Sequence, residues 1–175
     1  RNEMTVRRVV VPDGTVDVSG IGYAPEGKLT HHGAPLAHGP LQAAIERLLY
    51  SAELANNARL VKAGERWTIQ GDPTEGALIV AARKAGITKG YLDERFIRIG
   101  EMPFTSERKM MSTAHRDAMN EDFIGIAAKG APDVLLGCCT NEQVGDEPRL
   151  LTEQRRAEWA KTIEALATDA LRTLG

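Results

Sequence analysis

Short β-branched runs and one helical segment alternate along the first third of the chain. Met4–Val11 is rich in valine, Thr15–Val18 alternates apolar and polar residues, and the Asp13-Gly14 pair between them is typical of a β-hairpin. Residues 20–40 are rich in glycine, proline and histidine, and we expect them to form a loop. Apolar residues at helical spacing then predict a helix from about Leu41 to Ala55.

A second hairpin and a well-marked helix start follow. The pattern over Leu60–Ile69 predicts two short strands joined by a turn. Asp72 fits the N-cap of a helix, Pro73 fits its first position, and Glu75 follows three residues after the cap, as in a capping box. We expect this helix to end near Gly86.

The second half of the chain predicts three consecutive strands, two helices and a short final strand. In chain order these are Phe96–Met102, Lys109–His115, Phe123–Ala128, a helix over Ala131–Cys138, a helix capped by Thr152 that runs to Leu166, and a strand over Leu171–Leu174. Consecutive strands favour antiparallel pairing. The pattern therefore predicts an α+β fold with a mixed, mostly antiparallel sheet of six to seven strands flanked by helices.

Composition narrows the class of protein. The chain has 175 residues, of which 42% are hydrophobic and 26% charged, and this predicts a single globular domain over residues 1–175 with a sizeable core. Its net charge of −2 provides no overall basic field for nucleic acid. No apolar run approaches the ~20 residues that span a bilayer. We therefore expect neither nucleic acid nor a membrane to contact these residues.

Two further features suggest the context of the chain. It starts at Arg1 with neither an initiator methionine nor a signal peptide, so we expect a piece of a longer protein. Its two cysteines, Cys138 and Cys139, are adjacent, which is unfavourable for a disulfide and weakly indicates a reducing compartment.

No catalytic or metal-binding motif stands out. The chain has neither a Walker-type loop nor a G-x-S-x-G elbow, and His31, His32 and His38 lack the spacing of a metal site. We therefore predict no metal ligands and no catalytic residue within the chain.

Two segments contain residues whose chemistry allows a structural or a binding role. Glu75 either completes the capping box or accepts a hydrogen bond from a ligand at the helix N-terminus. In Pro103–Met111, Phe104 is either part of the core or a ring that stacks on a base. Its neighbours Arg108 and Lys109 either lie in a solvated turn or approach phosphates.

Two later segments are open to the same two interpretations. Lys129 ends an apolar strand, and Gly130 permits close approach of a ligand, although the same residues suit an ordinary strand-to-helix turn before Pro132. Arg172 either faces an anion or is a plain surface arginine. Together the four segments supply an aromatic ring, a carboxylate and several cations, which is the chemistry that an adenine nucleotide needs.

The same segments resemble a known family. GDPTEGAL, PFTSERKMM, KGAPDVLL and DALRTLG occur in the order found in the nucleotide-binding domain of P-type cation-transporting ATPases, and the chain is most similar to the branch that contains calcium pumps. The opening NEMTV resembles the segment that follows the phosphorylation motif of that family. The resemblance covers essentially the whole chain.

The resemblance implies a role for each matching residue. Phe104 is similar to the ring that stacks on adenine, and Glu75, after Thr74, to the acidic residue near the adenine amine. Lys129, with Gly130 and Ala131, is similar to the inner wall of the pocket. The remaining implied residues are Lys109 at the pocket mouth, Met111 against adenine, Arg172 toward the phosphates, and Leu174 in the lining. Ser106 and Asp133 depart from the pattern, because some calcium pumps have arginine at the first and the family usually has glutamate at the second.

The family also implies how the whole protein works. The chain would hold ATP by its adenine and deliver the γ-phosphate to an aspartate on a separate phosphorylation domain, which would hold most of the Mg²⁺. Its partners would be that domain and the actuator domain of the same pump, and it would be a cytoplasmic domain of an integral membrane protein. Because the DKTGTLT segment is absent, we expect it to bind ATP without turnover. The alternative is a non-enzymatic protein-interaction module whose binding surface is residues 20–40.

Overall fold

The chain forms two compact units. A computed structural model describes residues 3–168 and 171–175, and it divides the chain into Arg1–Phe96 and Ile97–Gly175. No helix among the described residues has the length and apolar character needed to cross a membrane. The assignment of residues 1–175 to a single functional domain stays a prediction.

The first unit begins with a four-stranded sheet in chain order. Its strands are β1 (Arg8–Val11), β2 (Gly14–Val18), β3 (Leu29–His31) and β4 (Ala34–Pro35), and each pairs antiparallel with the next. The predicted first hairpin is confirmed. The prediction that residues 20–40 are a loop is wrong in part, because the turn at His32-Gly33 has positive φ at both residues, 50° and 80°, which suits a two-residue hairpin.

Helices and a second ribbon complete the first unit. They are α1 (Pro40–Leu54), a hairpin of β5 (Arg59–Ala63) and β6 (Arg66–Gln70), α2 (Pro73–Lys84) and α3 (Lys89–Arg95). The sequence predicted α1, the hairpin and α2, but not α3. The buried core of this unit joins the sheet to the helices through residues such as Val16, Ile45, Leu49, Ala82 and Leu92.

The second unit is organised around a three-stranded sheet of order β7-β8-β9. Its strands are β7 (Phe96–Met102), β8 (Met110–Asp117) and β9 (Asn120–Gly130), and β8 and β9 form a long antiparallel pair. They are followed by α4 (Pro132–Cys138), a hairpin of β10 (Asn141–Val144) and β11 (Glu147–Leu150), and α5 (Glu153–Thr168). The sequence predicted the three strands and both helices, but not the β10–β11 hairpin.

The predicted fold class is confirmed, whereas the predicted sheet is not. Every pairing whose register the structure describes is antiparallel, and helices accompany strands in both units. The described strands, however, form one four-stranded, one three-stranded and two two-stranded sheets, rather than one sheet of six to seven strands. Local patterns identify strands and hairpins, but they do not specify which distant strands pair. The predicted strand over Leu171–Leu174 is wrong, because these residues form neither a helix nor a strand.

Candidate functional site

The loop between β7 and β8 displays an aromatic ring. Phe104 is 60% exposed, which excludes the interpretation that it belongs to the core. The Arg108 guanidinium folds back onto this loop, where it donates hydrogen bonds to the carbonyl oxygens of Met102 and Pro103, each at 3.3 Å, and to Ser112 Oγ at 3.2 Å. Arg108 therefore binds the loop itself, whereas Lys109 and Ser106 are exposed.

The end of this loop is tied to the turn after β9. Lys109 has a left-handed backbone, with φ of 54°, and its N–H donates to the Thr105 carbonyl at 2.8 Å. Its own carbonyl accepts a hydrogen bond from the Ala131 N–H at 2.9 Å. The strained backbone of Lys109 thus aims a carbonyl at the KGAP segment.

Lys129 lies on the buried face of the β8–β9 pair, opposite Met111. The two side chains are 8% and 4% exposed, and Lys129 Nζ donates to Met111 Sδ at 3.0 Å. A thioether is a weak acceptor, so this hydrogen bond is weaker than one to a carboxylate would be. Burial and strand register together place Met111 and Lys129 side by side on this pair of strands.

Gly130 brings three chain segments into contact. A Cβ atom at this position would lie 2.3 Å from the Lys109 carbonyl oxygen and 2.5 Å from Met110 Cβ, so only glycine fits. On its other side, Gly130 exchanges two backbone hydrogen bonds of 3.0 Å with Gly175. The terminal segment is thereby held beside β9, with Arg172 exposed and Leu174 half-buried.

The second unit therefore unites three of the four predicted segments. PFTSERKMM, KGAP and LRTLG are joined through backbone hydrogen bonds at Gly130 and Ala131. These segments contain nine of the predicted site residues: Phe104, Ser106, Lys109, Met111, Lys129, Gly130, Ala131, Arg172 and Leu174. We call this arrangement the three-segment junction.

The other two predicted residues, Thr74 and Glu75, begin α2 in the first unit. Asp72 caps that helix as predicted, since its Oδ1 accepts hydrogen bonds from Thr74 N at 2.8 Å and Glu75 N at 3.1 Å. The Glu75 carboxylate accepts a hydrogen bond from the Asn57 N–H at 3.1 Å. Glu75 thus has a structural role, joining the start of α2 to the segment that follows α1.

The first unit also contains a cleft of about 330 Å³ beside β3, α1 and α2. Its lining includes Lys28, Leu36, Ile45, Glu46 and Lys84, and none of the predicted site residues. Burial, with a smaller contribution from Arg7, lowers the pKa of Lys84, whose Nζ donates to the Ser19 carbonyl at 2.7 Å. Across the described ranges, no group of three or more His, Cys, Asp or Glu side chains is arranged to hold a metal ion.

Two residues form hydrogen bonds within the junction that the sequence analysis did not predict. Arg108 was considered only as a phosphate contact or a solvated residue, and Gly175 was not considered. A sequence signal for the first exists, because Thr105 Oγ1 accepts a hydrogen bond from Arg108 N at 3.2 Å, an arrangement typical of a Thr-initiated turn. The Gly130–Gly175 pairing joins positions far apart in the chain and has no local signal.

Comparison with known proteins identifies the family. The family model described as "P-type ATPase, cytoplasmic domain N" matches residues 44–175. The chain belongs to the P-type ATPases. The matched residues of this chain include all four segments and also β9 and α4, which flank the junction.

Similarity to individual P-type ATPases extends across the chain. It is 37% identical over 177 residues to the calcium-transporting ATPase of Bacillus subtilis and 36% identical over 173 residues to the probable cation-transporting ATPase F of Mycobacterium bovis, with 99% of this chain covered in each case. It is 32% identical to the human calcium-transporting ATPase type 2C member 1. The chain spans 19% of the length of each of the two bacterial relatives.

Proposed function

We propose that this chain binds ATP at the three-segment junction as the nucleotide-binding domain of a P-type cation pump. The observation that supports this most directly is the meeting of three family segments at Gly130 and Ala131, one of which contains the exposed ring of Phe104. The residues fit the ligand, because Phe104 offers a stacking surface, Gly130 permits close approach to the backbone, and exposed Lys109 and Arg172 provide positive charge.

Each side chain has a distinct part in this proposal. Phe104 stacks on the adenine, while Met111 and Lys129 form the floor of the pocket and Leu174 lines it. Lys109 and Arg172 face the phosphates, and Ser106 lies at the pocket edge. Thr74 and Glu75 belong to the first unit, and the role near the adenine amine that the family resemblance implies for them stays a prediction.

In the full-length pump, the bound nucleotide would donate its γ-phosphate to another domain. An aspartate carboxylate of the phosphorylation domain would attack the γ-phosphorus, the bond to the β-bridging oxygen would break, and ADP would leave. Mg²⁺ would be held mainly by that domain. The chain would supply binding and orientation, and would move against the phosphorylation and actuator domains at the cytoplasmic face of the membrane. The names of the relatives as calcium- and cation-transporting ATPases support this context.

Calorimetric titration with ATP tests the proposed site. Loss of base stacking is worth about 1–3 kcal/mol, so Phe104→Ala should weaken ATP binding by about tenfold. Phe123→Ala is the matched control, because Phe123 is a similarly exposed ring, at 52%, in the same unit but outside the junction. This control should bind ATP like the wild type.

Equal ATP affinity of wild type and Phe104→Ala would exclude the junction as the adenine site. Absence of ATP binding by the wild type would instead favour the interaction module with residues 20–40 as its surface. In the structure that segment is partly ordered as β3 and β4, and its Leu29 and Leu36 pack against the core.

A further inference from the structure

We propose that Arg108 is the positioning residue of the Phe104 ring, acting on nucleotide affinity without contacting the nucleotide. This inference rests on the proposed function. Its starting point is the direction of the guanidinium group, which faces the carbonyl oxygens of Met102 and Pro103, the two residues immediately before Phe104.

The hydrogen bonds of Arg108 connect both ends of the loop. One terminal nitrogen, Nη1, donates to both the Met102 and the Pro103 carbonyls. The other, Nη2, donates to Ser112 Oγ on β8 at 3.2 Å. The backbone N–H of Arg108 also donates to Thr105 Oγ1. Arg108 therefore links the residues that precede Phe104 to the one that follows it and to the next strand.

An exposed ring needs such support from its backbone. Phe104 is 60% exposed, so packing of the side chain does little to fix its position. A mobile ring would lose conformational freedom on stacking, at a cost of about 0.5–1.5 kcal/mol per ordered side chain, and a fixed loop avoids part of this cost. Arg108 thus preorganises the stacking surface.

The planar shape of the guanidinium suits these three hydrogen bonds. Its fork reaches two carbonyls on one side and a hydroxyl on the other, whereas the ammonium group of lysine is a compact charge on a flexible stem. The positive charge is retained in Arg108→Lys, but the three-point contact is not. If Arg108 positions the loop, Arg108→Lys should not restore nucleotide affinity. If Arg108 attracts phosphate directly, Arg108→Lys should largely restore it.

The test compares ATP with adenosine, which has no phosphate. Binding of both is measured by NMR titration of wild type, Arg108→Ala, Arg108→Lys and Ser112→Ala. We expect both Arg108 variants to weaken ATP and adenosine by the same factor, about three- to tenfold, and Ser112→Ala to weaken both by less. Backbone relaxation should show increased motion of the Phe104 and Thr105 amides in Arg108→Ala. Arg116→Ala, which removes an exposed arginine of β8, is the charge-matched control and should bind both ligands like the wild type.

Three results would overturn the inference alone. The first is loss of ATP affinity with unchanged adenosine affinity, which would identify Arg108 as a phosphate contact. The second is full rescue by lysine. The third is wild-type affinity for both ligands in Arg108→Ala while Phe104→Ala is impaired, which would refute positioning and leave the proposed function intact. Absence of ATP binding by the wild type would refute the proposed function itself, and the inference with it.

Discussion

Gly130 has no side chain, and this allows the three segments of the junction to approach each other closely. The position of its missing Cβ is 2.3 Å from the Lys109 carbonyl and 2.6 Å from Met110 Cα, and both of these are backbone atoms that cannot rotate away. A methyl group there would separate β8 from β9 where PFTSERKMM meets KGAP.

The first prediction is that Gly130→Ala destabilises the chain and weakens ATP binding. Overpacking of this kind costs about 1–3 kcal/mol, measurable as a lower midpoint of urea unfolding. Gly137→Ala is the matched control. Gly137 lies in α4, and a Cβ atom added there would have no atom within 4 Å. Unchanged stability and ATP affinity in Gly130→Ala would show that the close contact is not required.

Single residues also show how much of the site could be predicted. Motif and residue chemistry agree in predicting Phe104, Lys129 and Gly130 as site residues, and the register of β8 and β9 brings Met111 to Lys129. The sequence left Arg108 open between a phosphate contact and a solvated turn. In the structure its side chain donates to the Met102 and Pro103 carbonyls and to Ser112 Oγ, and backbone carbonyls as partners leave no pattern in the sequence.

Ion pairs connect neighbouring elements within each unit. In the first unit, Arg83 of α2 donates to both carboxylate oxygens of Glu53 of α1, at 2.6 and 2.7 Å, and also to the Ile87 carbonyl. The Glu53 side chain is only 4% exposed. Removing one partner would leave the other as an uncompensated buried charge.

The second prediction concerns this pair. Arg83→Met should lower the free energy of unfolding by about 3–5 kcal/mol, and the double variant Glu53→Gln/Arg83→Met should recover part of that loss because no unpaired charge remains. Chemical denaturation of the wild type, of the single variants Arg83→Met and Glu53→Gln, and of the double variant measures these effects. A double variant that loses the sum of two large single effects would contradict the explanation.

A third prediction concerns pH and the second unit. Its basis is that Arg155 of α5 donates to both oxygens of Glu142 on β10, and Trp159 Nε1 also donates to that carboxylate. The Arg155 hydrogen bonds hold the pKa of Glu142 below its usual value. A lowered pKa means that the contact stabilises the fold above the unfolded pKa, about 4.3, and that this contribution is lost as pH falls through the lower folded pKa.

The corresponding variant is Glu142→Gln. We expect it to be less stable than the wild type by about 1–2 kcal/mol at pH 7, with allowance for the partial exposure of Arg155, and the difference should shrink as the pH falls below 4. Exposed Glu147→Gln on β11 is the control and should change little. A Glu142→Gln deficit that is equally large at acid pH would show that the loss is not electrostatic.

Elements were predictable where the signal is local. The cap at Asp72 and the cap at Thr152 both start helices as expected, and Phe96–Met102 is a strand with those bounds. The helix α3 has seven residues, too few for a clear period, and β10–β11 turns at Gly145 between strongly polar strands. Short polar elements rely on tertiary contacts, such as the one between Glu142 and Arg155.

At the scale of the whole molecule, antiparallel pairing was predictable but the division into sheets was not. Hairpins follow from turn chemistry, whereas pairing between distant segments depends on contacts that span the chain, as at Gly130 and Gly175. Thr74 and Glu75 belong to the first unit, whereas the other nine predicted site residues belong to the second. The chain spans 19% of the length of its calcium-transporting ATPase relative from Bacillus subtilis.

The most direct test of the central proposal is an NMR titration of the 175-residue chain with ATP, first without and then with Mg²⁺. We predict saturable shifts of backbone amides at Phe104, Lys109, Lys129–Ala131 and Arg172–Gly175, with little further change when Mg²⁺ is added. No shifts at millimolar ATP would contradict the account. Shifts confined to the first-unit cleft, around Lys28 and Lys84, would contradict it too, because they would place the nucleotide away from the three-segment junction.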